Sequence, residues 1–190
     1  MENTRAKTTR NSLILLLTAT IWGMAFVSQS KGMDYMHPFT FNGVRSLIGA
    51  AGILVYILIS RKIAGDKAAK LDWKLNVRAG LLCGIFLTIA STLQQFGIKY
   101  TSVGKAGFIT TLYIIFVPMF GVFLKKKVAP VVWAAAGMAA VGMYLLCMTE
   151  SLRLGAGDIM VFLCAIAFAI QIMTAVSYTH LRAHETLSDL

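Results

Sequence analysis

Residues Ser12–Ser30 read SLILLLTATIWGMAFVSQS, an uncharged apolar run with Arg10 just ahead of it and Lys31 just behind. A helix rises 1.5 Å per residue, so about 20 such residues cross the ~30 Å hydrocarbon core of a bilayer. Five further segments meet the same test: Pro38–Ser60, Val77–Gly97, Ala106–Leu124, Ala129–Met148 and Asp158–Thr174. The polar residues inside them are mainly Thr, Ser and Gln, which a membrane helix satisfies through local backbone bonds or a neighbouring helix. Arg5, Lys7 and Arg10 ahead of the first run resemble the start of a signal peptide. No clear small-x-small cleavage site follows it and five more spans do, so the first span is read as retained. The expected fold is all-α, a polytopic transmembrane helix bundle.

Composition agrees. Hydrophobic residues make up 57% of the 190 and charged residues only 14%, with a mean hydropathy of +0.72. A soluble domain is roughly half apolar and a quarter charged. The formal net charge of +10 raises the question of nucleic acid. The basic residues lie between long apolar runs instead of on a polar surface with exposed aromatics, so no nucleic-acid partner is expected. Cys83, Cys147 and Cys164 each sit in an apolar run with no second cysteine or histidine at ligand spacing. They read as small buried hydrophobes, with neither a disulfide framework nor a metal site, and no cofactor is expected.

Basic residues also orient the chain. One set of loops holds Arg5, Lys7 and Arg10, then Arg61, Lys62, Lys67, Lys70, Lys74 and Arg78, then Lys125, Lys126 and Lys127. The other set holds only Lys31, Lys99, Lys105 and Arg153. Short cytoplasmic loops collect Lys and Arg, which places the N-terminus inside and sends the odd spans outward through the cytoplasmic (inner) membrane. The longest loop, Arg61–Asn76, reads as a basic strap facing anionic lipid. Pro38 and Pro130 stand near span starts, where a missing N–H is harmless. Pro118 lies inside the fourth span, frees the Ile114 carbonyl and is expected to kink the helix.

No carboxylate lies deep in a span: the acids are Glu2, Asp34, Asp66, Asp72, Glu150, Asp158, Glu185 and Asp189, all in loops, at span edges or in the tail. An embedded acid is the usual proton carrier of membrane pumps, and the four-helix multidrug exporters rely on one in their first helix. There is also no HExxH, GxSxG or P-loop, so an enzyme has no motif to stand on. Arg45 is the one charge well inside a span, seven residues past Pro38 and so about 10 Å below the outer surface. Two readings stay open: its guanidinium snorkels to outer headgroups, or it anchors a carboxylate in an outward-facing cavity.

Other candidates for a substrate path are Trp22 and Phe26, four apart on one helix face, then Gln94 beside Gln95, then Thr110, Thr111 and Tyr113. Gln171 lies deep in the sixth span and must find partners or line a wet cavity. Interhelical packing is the plainer alternative for each. Ala135, Ala136, Gly137, Ala139 and Ala140 read as a close-packing face of the fifth span.

Several of these residues fall into a pattern. Ile21-Trp22-Gly23-Met24-Ala25-Phe26-Val27 resembles the xWGxxF opening of EamA-type members of the drug/metabolite transporter superfamily. Pro38 with Arg45 matches that family's Pro…Arg second helix. Lys99-Tyr100-Thr101-Ser102, Ala106-Gly107-Phe108-Ile109 and Val117-Pro118 are similar to its third-to-fourth helix turn. Gly157-Asp158 ahead of Ala165 and Phe168-Ala169 resembles the opening of its second repeat. Lys125-Lys126-Lys127 departs from the pattern, since members usually place a glutamate just after the fourth helix. The resemblance spans about residues 12 to 174. It implies ten helices in two inverted five-helix repeats around a central substrate cavity, of which six are present. The internal parallel of Leu17-x-Ala19-x-x-Trp22-Gly23 with Leu163-x-Ala165-x-x-Phe168-Ala169 fits such a repeat, because an odd number of spans inverts the second copy.

The expected layout is a cytoplasmic N-terminus over 1–11, a first repeat over 12–148, the start of a second over 149–174 and a foreign tail over 175–190. That tail, from Val176-Ser177-Tyr178-Thr179-His180 to Leu181-Arg182-Ala183-His184-Glu185-Thr186, resembles the translation of a transposon-type sequencing-library adapter. His180 and His184 therefore carry no metal reading. The expected function is a secondary transporter or exporter of small metabolites, amino-acid or drug-like, incomplete in this stretch of chain. The alternatives are a non-transporting membrane scaffold and a membrane enzyme with an unrecognised motif. Expected partners are the lipid bilayer and a small-molecule substrate, with homodimerisation left open. Substrate, direction and coupling ion do not follow from the residues.

Overall fold

The computed structural model describes residues 2–65, 73–125, 128–147 and 155–188, and every regular element among them is an α-helix. In chain order these are α1 Glu2–Gly32, α2 Pro38–Ala64, α3 Trp73–Tyr100, α4 Val103–Thr111, α5 Tyr113–Phe123, α6 Pro130–Cys147 and α7 Ala156–Ser188. Five stretches are long and apolar enough to cross a bilayer: Lys7–Gly32, Pro38–Ile63, Trp73–Tyr100, Val103–Phe123 and Ala156–Thr179. A shorter apolar helix, Pro130–Gly142, falls within the expected fifth span. The chain is thus the polytopic helical bundle that its apolar runs imply. Helices serve because hydrocarbon offers no partner for a backbone N–H or C=O. Met148, Lys67, Lys70, Lys126, Lys127 and Arg153 lie outside the described residues.

Burial is arranged for lipid. Leu15, Leu47 and Tyr56 are 70%, 73% and 70% exposed, and most large apolar side chains of α1 and α2 also face outward. The interior is built from small groups, with Ala90, Ala106, Cys164, Ala165 and Ala169 fully buried. Lipid tails are as apolar as leucine, so burying large side chains gains little and close backbone approach becomes the source of helix association.

The closest approach is between α3 and α7. A methyl group on Gly157 would lie 2.8 Å from the Gly97 carbonyl oxygen and 2.8 Å from the Tyr100 carbonyl carbon, both backbone atoms that cannot turn aside. Farther along, Ala90 meets Cys164 and Ala167, with Leu93 and Phe168 against them. Rising numbers on one helix meet falling numbers on the other, so the pair is antiparallel. Val161, Ile98, Ala106 and Ile109 extend this core to α4, covered by Phe26, Phe108 and Leu112.

Polar groups pin the same end. Ser102 caps α4, its hydroxyl accepting the Lys105 N–H at 3.2 Å. The Thr101 hydroxyl donates to Asp158, whose other oxygen accepts the Gly155 N–H at 2.9 Å. Lys105 Nζ stands 3.6 Å from that carboxylate, which is 3% exposed. Asp158 so plays the returning arm of a capping box at the start of α7.

The fourth span is interrupted. Leu112 separates α4 from α5, with the Leu112 N–H donating to Ile109 O at 3.2 Å and the Ile115 N–H to Leu112 O at 2.9 Å, both three residues back. Pro118 lies buried six residues later, inside α5.

Candidate functional site

A cavity of about 460 Å³ lies between α1, α2, α3, α4, α5 and α7, in the range of small-molecule sites. From α1 it takes Trp22, Ala25, Phe26 and Gln29, a face recurring every three to four residues. Arg45 enters from α2, and Leu87, Ser91 and Gln94 line up along α3 in the same way. Thr110 stands in the last turn of α4, Tyr113 opens α5, and Phe168, Gln171 and Ile172 come from α7. All seven residues expected along a substrate path, namely Trp22, Phe26, Arg45, Gln94, Thr110, Tyr113 and Gln171, border this one space. Thr111, the neighbouring candidate, instead turns its hydroxyl to Gly107 O at 2.7 Å and borders a small apolar gap facing α6.

Its lining mixes aromatic side chains with neutral amides and hydroxyls. Tyr113 and Phe168 tilt against each other with ring centroids 6.4 Å apart. The Gln94 amide donates to the Thr110 hydroxyl at 3.3 Å, joining α3 to α4 across a buried contact. Behind the wall, Gln95 Nε2 donates to Gln29 O at 3.3 Å and Gln29 Nε2 to Ala25 O at 3.2 Å. The amide oxygens of Gln29 and Gln95 are buried and have no partner among the described residues. Such groups raise the free energy of a purely packed bundle by about 1–3 kcal/mol each.

Arg45 is held at the edge. Its Nη2 donates to Asn42 Oδ1 at 2.8 Å, one helical turn back, and its guanidinium lies 5.8 Å from the centre of the Phe41 ring. Asn42, 7% exposed, in turn donates its own amide to Ser91 O on α3 at 2.9 Å. Among the described residues no group of His, Cys, Asp or Glu is placed to hold a metal ion.

A second cavity, about 340 Å³, lies among Val117, Pro118, Gly121, Val128, Val132 and Met173. Its lining side chains are apolar throughout, so nothing in it would orient a ligand.

Sequence reading missed Gln29, Ser91 and Asn42. Each had a signal at helical spacing: Gln29 is three past Phe26, Ser91 three before Gln94, and Asn42 three before Arg45. Phe168 enters the sequence reading only through the second-repeat resemblance and the internal parallel, and Leu87 and Ile172 are indistinguishable in sequence from lipid-facing neighbours.

The chain matches the EamA-like transporter family over residues 10–148. It is 30% identical over 173 residues to an uncharacterized transporter of Archaeoglobus fulgidus, an alignment covering 88% of this chain and 49% of that protein. The chain therefore spans about half the length of the curated relative it matches. No solved structure matches it.

Proposed function

Because the chain belongs to the EamA-like transporter family, we propose that it carries the substrate site of a secondary transporter or exporter of small metabolites, amino-acid or drug-like, in the cytoplasmic membrane. It is a multi-pass membrane protein of a transporter family. The finer layout belongs to the proposal: a first repeat over 12–148, a second beginning over 149–174, and an N-terminus in the cytoplasm.

One observation carries the reading. Six helices that otherwise present apolar side chains outward converge on a single space lined by Arg45, Gln94, Gln171, Thr110 and a ring of aromatics. A bundle that only packed would fill that space with the small residues that join α3 to α7, and would have no use for buried amides. Binding sites of membrane carriers lie where helices of the two repeats meet, and α7, the proposed first helix of the second repeat, closes the cavity against the first. No step of bond-making chemistry is assigned.

The test is metabolite profiling of cells that overexpress the complete gene against vector controls, with medium and cytosol quantified separately. A reproducible redistribution of a few small molecules across the membrane supports the proposal. Unchanged pools, with the protein present in the membrane, overturn it.

A further inference from the structure

Resting on that cavity being the substrate site, we propose that it selects monoanions that carry one carboxylate on an apolar or aromatic body, with Arg45 as the anion anchor. The cation has no anionic partner among the described side chains. The acids whose side chains are described are Asp34 and Asp158, and these pair with Lys31 at 4.0 Å and with Lys105 at 3.6 Å. An unpaired arginine inside a span is costly, and its cost falls when an anion arrives.

Arg45 is also aimed. A free lysine or arginine stem swings toward headgroups, but this guanidinium is fixed by Asn42 at 2.8 Å, and Asn42 cannot turn over. Its amide nitrogen is committed to the Ser91 carbonyl at 2.9 Å, so its oxygen must face Arg45. Of five guanidinium N–H groups, the Asn42 bond uses one and leaves a fork free for a carboxylate's two oxygens. The cavity's other polar groups, such as Gln94, Thr110 and Gln171, are neutral, and no second cation lines it. A single positive charge suits a monoanion and not a phosphate dianion. Trp22, Phe26, Tyr113 and Phe168 supply the wall for the body of the molecule.

The test uses the full-length protein in nanodiscs and isothermal titration with 3-phenylpropionate, 3-phenylpropionamide and phenethylamine, which share a body and differ in the charge of the head. The carboxylate is expected to bind about tenfold to a hundredfold tighter than the other two. Arg45→Gln removes that preference, bringing the carboxylate down to the affinity of the amide, while Arg45→Lys keeps part of it. Equal affinities on the natural protein overturn the proposal, as does a carboxylate preference that survives Arg45→Gln. In either case amide binding that weakens in Trp22→Ala or Tyr113→Ala leaves the cavity standing as the substrate site. If none of these probes binds, the carboxylate proposal fails together with the aromatic site beneath it. Should Arg45→Gln lose amide binding as well, the ranking on the natural protein and the Arg45→Lys variant decide.

Discussion

Arg45 shows what a single residue contributes. Its sequence position gave a depth but left two readings, lipid headgroups or cavity. What separates them is Asn42, whose amide reaches across to α3 and fixes the guanidinium beside the cavity. That link is 49 residues long in sequence and could not be read from either end. Arg45→Ala is expected to lower transport by at least tenfold with an unchanged amount of protein in the membrane, as measured by uptake or efflux against quantified membrane fractions. Normal transport would remove Arg45 from the site. The cavity's other members were legible because a polar or aromatic residue stands out in a greasy helix, whereas Leu87 and Ile172 had nothing to distinguish them.

Among the elements, the spans were legible and their contacts were not. Twenty-residue apolar runs follow directly from bilayer thickness, so the helices lie where the hydrophobicity puts them. The helix ends run farther, since α1 begins at Glu2 and not at Ser12. Helical hydrogen bonding does not stop at the hydrocarbon edge. The fourth span was expected to yield at Pro118, yet the interruption stands at Leu112, a residue with no breaker chemistry of its own. It packs against the Ile98–Val161 core, a tertiary contact invisible in local sequence. The α3–α7 crossing has a clearer trace in Gly97 and Gly157, where only hydrogen fits between two backbones. Gly157→Ala is expected to push the helices apart and lower stability by about 1–3 kcal/mol, read as a fall in the thermal midpoint of the purified protein. An unchanged midpoint would mean that the crossing is looser than described. Substituting alanine at Gly142, where a methyl group would meet nothing within 4 Å, is the matched control.

At the scale of the whole molecule, the proposed orientation rests on charge and the proposed function on the cavity. Lys and Arg cluster in alternate loops, a bias that the insertion machinery reads and that packing does not need. Reporter tags in the Arg61–Asn76 loop and at the N-terminus should be inaccessible to membrane-impermeant reagents in intact cells, and a tag after Gly32 should be labelled. The opposite pattern would invert the molecule. The proposed function rests on the cavity. The decisive comparison is transport by cells expressing the complete gene, its cavity-filling variant Ala25→Trp, or the lipid-face control Leu13→Trp, at matched membrane levels. If the cavity is the substrate path, Ala25→Trp abolishes the metabolite redistribution and Leu13→Trp preserves it. Full transport through the filled variant would contradict that assignment.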